Sequence, residues 1–160
     1  MTAVQLRYMN KGDLPDGLWK EEHDLELWTD EQTGYRCLAI RMETGHLCGY
    51  VEVPSGHPWE NAAYSDCPIR DACKATDDWW CDHRPESVVK VHGGVTFSGP
   101  RPQVVGSGWW FGFDCAHLYD LSPSLLRDGF HMSSMSVYRD MSYVRSECRG
   151  MAAQLAEVLS

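Results

Sequence analysis

Apolar and polar residues alternate with period two in three successive segments, residues 25–29, 35–42 and 47–53. Glycine-containing stretches at 30–34 and 43–46 separate them. Strand side chains point to opposite faces in turn, so this pattern predicts adjacent hairpin strands with a buried face. Pro54, Gly56 and Pro58 end the third strand, because proline cannot donate to a ladder. Residues 59–87 show no period and read as a long loop or insertion. A connection of that length in a small domain is functional, tied by a metal, or mobile. Strand character returns over residues 88–97, interrupted by Gly93 and Gly94, and over the aromatic-rich residues 108–114. Alternation there puts Trp109, Phe111 and Phe113 on one face and Trp110 on the other. Residues 98–107 and 115–137 are irregular, with Pro123 and Gly129 as breakers. The period then lengthens. Val144, Cys148, Met151, Leu155 and Val158 recur at three- and four-residue spacing, which predicts a helix lying across one sheet face. Asp140 or Ser142 would cap it. The expected class is α+β: an antiparallel sheet of about five strands packed on one C-terminal helix, with long irregular loops, forming one domain over residues 1–160.

Composition narrows the function classes. Hydrophobic residues make up 43% and charged residues 23% of the 160, as in a globular chain. The formal charge of −9 argues against general nucleic-acid binding, which needs surplus Lys and Arg. No apolar run approaches the roughly 20 residues of a membrane span, and residues 1–11 lack an apolar signal core. A cytoplasmic protein is expected. Seven cysteines without a secretion signal read as reduced thiols, with Cys37, Cys48 and Cys148 in apolar patterns as small core residues.

Five groups carry candidate chemistry. In His92, Gly93, Gly94 and Thr96, two glycines inside an expected strand need a reason, either a bulge or close approach of another group to the backbone. A ligand oxygen could reach amides there, with His92 and Thr96 adding hydrogen bonds. Asp114, His117 and Asp120 are spaced to share a face, and a carboxylate–imidazole–carboxylate cluster can act as acid and base or bind metal. Trp109 or Trp110 could offer a face for a nucleobase, although core packing is the expected use of most of these rings. His57, in the stiff turn after the third strand, suits a pocket rim. Cys67, Cys73, Cys81 and His83 have the ligand types of a closed zinc site, yet lack tight CxxC pairs, which favours free thiols in a surface loop. Around the helix, Glu147, Arg139, Arg145 and Arg149 read as solvated charge, while residues 138–140 sit where they could reach the site.

Four stretches carry a resemblance: GYVEVPSGHPWE, VHGGVTFSG, WWFGFDCAHLYD and YRDMSYVRSEC, covering roughly residues 47–58 and 88–155. Together, in this order, they resemble small hypothetical proteins of tailed phages and prophages. The resemblance implies a bacterial cytoplasm during infection or in a prophage-bearing cell. It supplies no activity and no catalytic residue list.

Three functions follow. The first is a small-molecule binding protein, for a nucleotide-like or phosphorylated ligand, held by His57, His92, Gly93, Gly94, Thr96, Trp110, Asp114, His117 and Asp120; in a phage it could sequester a host signalling nucleotide. The second is a hydrolase in which His92, Asp114, His117 and Asp120 bind a divalent metal or activate water. That donor set suits Zn, Mn or Fe better than Mg. The third is an acidic inhibitor of a host protein. Binding ranks first because the parts of a polar pocket are easier to identify than a full catalytic set. Self-association of the chain stays open.

Overall fold

The computed structural model describes residues 3–73, 81–100, 107–127 and 135–158. Six strands form one antiparallel open sheet: β1 (Val4–Leu6), β2 (Leu25–Thr29), β3 (Arg36–Arg41), β4 (Leu47–Val53), β5 (Phe97–Gly99) and β6 (Trp109–Asp114), in spatial order β1-β2-β3-β4-β6-β5. Among the described residues three α-helices accompany them: α1 (Pro85–Val88), α2 (Pro123–Arg127) and α3 (Met141–Glu157). The architecture is the expected α+β one. The strands over 25–29 and 47–53 keep their expected bounds, β3 is one residue shorter at each end, and β6 starts one residue later. The expected loop residues 101–106 and the breaker Gly129 lie outside the described residues.

Alternation decides the layering. Cys37, Ala39, Leu47, Val51, Phe111 and Phe113 turn to one face and pack against Val144, Cys148, Met151, Ala152 and Leu155 of α3. The other face gathers Leu25, Leu38, Cys48, Tyr50 and Trp110 into a smaller cluster. Asp140 caps α3, its carboxylate accepting from the Tyr143 amide at 2.8 Å. Among the described residues no helix is long and apolar enough to cross a membrane.

The strand expected over 88–97 is corrected. Residues 85–88 are helical, residues 89–96 run irregularly, and pairing begins only at Phe97. The glycines are the reason. Gly93 and Gly94 take φ of +66° and +86°, where L side chains are strained, and the Gly94 amide closes a turn on the Val91 carbonyl. The chain bends there, and no strand bulge forms.

Two expected ligand contacts are also corrected. His57 is 4% exposed, its Nε2 bonds the Leu155 carbonyl and its Nδ1 accepts the Trp59 amide, so it fastens the β4 turn to α3 and lies on no pocket rim. Trp110 is fully buried in the second cluster, with the Arg36 guanidinium over its ring, and offers no face to a base.

Candidate functional site

Residues 89–92 are laced to one edge of α3. Gln154 exchanges two hydrogen bonds with the Lys90 backbone, at 2.7 and 2.9 Å. Glu147 accepts the His92 amide at 3.2 Å, and the Tyr143 hydroxyl meets His92 Nδ1 at 2.8 Å. Positions 143, 147 and 154 share one helical stripe beside the apolar one. Glu147, expected to be solvated charge, therefore holds the backbone that carries His92.

A second segment arrives from the end of β6. The His117 amide donates to Asp120 Oδ2 at 3.0 Å, and the Asp120 amide returns to the His117 carbonyl, closing a tight turn. Asp120 also bridges Val137 in parallel, which brings residues 137–139 alongside. From there Arg139 Nε donates to Asp120 Oδ1 at 3.0 Å.

The two segments meet at Asp120. His92 Nε2 lies 2.8 Å from Asp120 Oδ2. A carboxylate only accepts, so Nε2 carries the proton in this contact, while Nδ1 pairs with the Tyr143 hydroxyl. Burial pushes the Asp120 pKa up, but hydrogen bonds from His92, the His117 amide and Arg139 outweigh it and hold the carboxyl below its ordinary value. Burial and the nearby Glu147 charge raise Tyr143, which keeps its hydroxyl protonated.

His117 completes the group in a way the sequence did not foretell. Its ring occupies the space left by the missing side chain of Gly93, where a Cβ would fall 2.1 Å from His117 Cε1. The close approach inferred for the glycines is therefore made by an imidazole of the protein itself. His117 Nδ1 lies 3.4 Å from Asp120 Oδ2 and 3.6 Å from Asp114 Oδ1, yet it is buried and makes no hydrogen bond among the described residues. Donor atoms of His92, His117 and Asp120 all lie within 4.8 Å of one another. Thr96 Oγ1 steadies Asp114 by donating to Oδ2 at 3.1 Å. Thus His92, Gly93, Thr96, Asp114, His117 and Asp120 come together, whereas His57 and Trp110 do not; Gly94 faces open space.

Sequence reasoning left two of these residues aside, Tyr143 and His46. The polar stripe of α3 was the available signal for Tyr143. His46, in the β3–β4 turn, lies within electrostatic range of Asp114, Asp120 and His117, and burial pushes its pKa down.

A second cluster is formed by the thiols expected to be free in a surface loop: they are free of disulfides, but Cys67 and Cys81 are buried and the group is gathered. Cys67, Cys73, Cys81 and His83 place one donor atom each within 4.8 Å of the others. Compared with protein-family models, curated proteins and solved structures, the chain matches none, so its chemistry is read from these two groups of side chains.

Proposed function

We propose that His92, His117 and Asp120 hold a divalent cation and that the protein is a hydrolase acting on a small phosphorylated or nucleotide-like molecule. The observation that carries this reading is the buried, unbonded Nδ1 of His117. Leaving a buried polar atom without a partner costs about 1–3 kcal/mol, and a cation shared with His92 and Asp120 would satisfy it. Two imidazoles and a carboxylate suit Zn, Mn or Fe.

A bound ion would supply Lewis acidity and make an associated water more acidic. The chain's own groups do the rest. Asp120, 2% exposed along its side chain, is locked in the charged form and fixes the His92 ring. Asp114, a third exposed and held by Thr96, is the carboxylate beside the centre that can take a proton and release it to solvent. Arg139 brings positive charge against Asp120 and helps hold it in the charged form. To bind the ion, His92 Nε2 would give up the proton it shares with Asp120, and Nδ1–H would then donate to the Tyr143 hydroxyl, which holds the ring in the ligating tautomer.

A second reading, capture of the same ligand class without turnover, draws on a different observation: both ring nitrogens of His92 and both oxygens of Asp120 already have protein partners. Such a closed set can present a rigid polar surface without a metal. The phage resemblance would make that surface a sponge for a signalling nucleotide.

One experiment separates them. The protein is incubated with linear and cyclic nucleotides, with and without Mn(II) or Zn(II), and small molecules are read by liquid chromatography. Metal-dependent product in wild type, absent with His117→Ala and Asp114→Asn, is the expected result. A nucleotide recovered intact from the protein would replace hydrolysis by capture. No product and no retained ligand would sink both.

A further inference from the structure

We infer that Cys67, Cys73, Cys81 and His83 form a closed structural zinc site, independent of the centre at His92. The geometry fits the ion. Zn–S bonds of about 2.3 Å and Zn–N bonds of about 2.0–2.1 Å give tetrahedral edges of about 3.8 Å between sulfurs and about 3.5 Å from sulfur to nitrogen. The observed separations are 3.5 Å from Cys73 Sγ to Cys81 Sγ, and 3.7 Å from each of these sulfurs to His83 Nδ1.

Neither core packing nor a disulfide accounts for the cluster as well. Cys37, Cys48, Cys115 and Cys148 are buried inside the two apolar cores, as small hydrophobes should be. Cys67 and Cys81, 7% and 1% exposed, belong to neither core. What gathers around them is another thiol and an imidazole. A disulfide needs sulfurs about 2.05 Å apart, and pairing two of three thiols would strand the third. The set is also closed, since four protein ligands leave no position for substrate, which is the mark of a structural site.

The chain around the cluster shows what the ion would stabilise. Among the described residues between β4 and α1, the 3₁₀ turn at Arg70–Ala72 is the one regular element, and it lies between Cys67 and Cys73. Directly after His83, Arg84 Nε donates to the Cys81 carbonyl and Pro85 opens α1. The Glu86 amide then joins the Tyr64 carbonyl, and Val89 enters the main core, three residues before His92. Zinc would thus anchor the start of the segment that delivers His92 to Asp120. Binding converts three thiols to thiolates and releases three protons to solvent, while the neutral imidazole binds through Nδ1.

The test uses the reduced full-length protein, reconstituted with Zn(II) or Co(II). Native mass spectrometry should show one Zn(II) that survives dialysis, and the Co(II) form should show thiolate-to-cobalt charge transfer with strong tetrahedral d–d absorption. Both should persist in His117→Ala and in His83→Cys, and the tightly held ion should be lost in Cys73→Ser. Cys73 is half-buried, so that variant leaves the cores untouched. Chelation of the wild type should sharply increase protease cleavage between residues 67 and 83. Three results would each overturn the inference: no retained Zn(II), a Co(II) spectrum lacking thiolate bands, or a Cys73→Ser variant that holds zinc as tightly as wild type.

Discussion

Two buried carboxylates, Asp24 and Asp120, sit in clusters built from the same kinds of groups and arranged to opposite ends. Asp24 receives the amides of Tyr8 and Met9, Lys11 Nζ at 2.9 Å and Arg41 Nε at 2.8 Å. Arg41, itself fully buried along its side chain, spends its other donors on the Gly45 and His23 carbonyls, the Tyr138 hydroxyl and Glu22. A guanidinium has five N–H donors, and here each has an acceptor. That cluster ties the N-terminal segment, β3, the β3–β4 turn and the approach to α3 into one body. Around Asp120 the matching stops short. Asp120 is saturated, but His117 Nδ1 is not, and His117 and Asp114 reach the surface. A complete network specifies the fold; an incomplete one at the surface leaves room for a ligand.

The largest effect should come from opening the closed cluster. Arg41→Ala leaves the buried Asp24 with Lys11 alone and the half-buried Glu22 without the counter-ion the two carboxylates share. Removing one partner of a buried pair costs about 3–5 kcal/mol, to be read from the denaturation midpoint in urea. A similar cost from His117→Ala would erase the distinction between the clusters.

Acid should unfold the protein through the same network. Burial pushes Asp24 and Glu26 up, but hydrogen bonds outweigh it, from Met9, Lys11 and Arg41 for Asp24 and from Arg145 and His23 for Glu26, and both end below their ordinary values. A carboxyl with a depressed folded pKa adds stability that is present above its unfolded value, about 4. That stability is lost as pH falls through the folded value. Stability should therefore hold near neutrality and fall below about pH 4, and Asp24→Asn should weaken this acid dependence.

Gly93→Ala acts on the open cluster. The new methyl would overlap the His117 ring in a backbone conformation that alanine resists. A cost of about 1–3 kcal/mol is expected, together with loss of metal affinity, measured by thermal melts and titration calorimetry. Gly150→Ala is the contrasting control. It meets nothing within 4 Å and sits inside α3. It should stabilise by about 0.5–1 kcal/mol and leave metal affinity unchanged.

How much of this was legible follows from the range of each signal. The strands from 25 to 53 and helix α3 were visible because period-two and helical patterns are local. β1 was not, since its three exposed residues carry no alternation. The 88–97 segment misled because Val89 and Val95 look like strand residues, while their burial comes from packing on the main core around a glycine turn. His92, His117 and Asp120 were named, but the contact from His92 to Tyr143 spans 51 residues and no spacing rule reaches that far. The thiol cluster was discounted for lacking CxxC, a rule about sequence spacing that long connections evade by folding.

The most direct test is a Mn(II) titration followed by electron paramagnetic resonance, comparing wild type with His117→Ala. Mn(II) prefers oxygen and imidazole donors over thiolates, so the cysteine cluster stays silent. Wild type should quench the free-ion signal with one site per chain, and His117→Ala, folded as judged by circular dichroism, should leave it free. Equal binding by both proteins, or none by wild type, would contradict a metal centre at His92, His117 and Asp120.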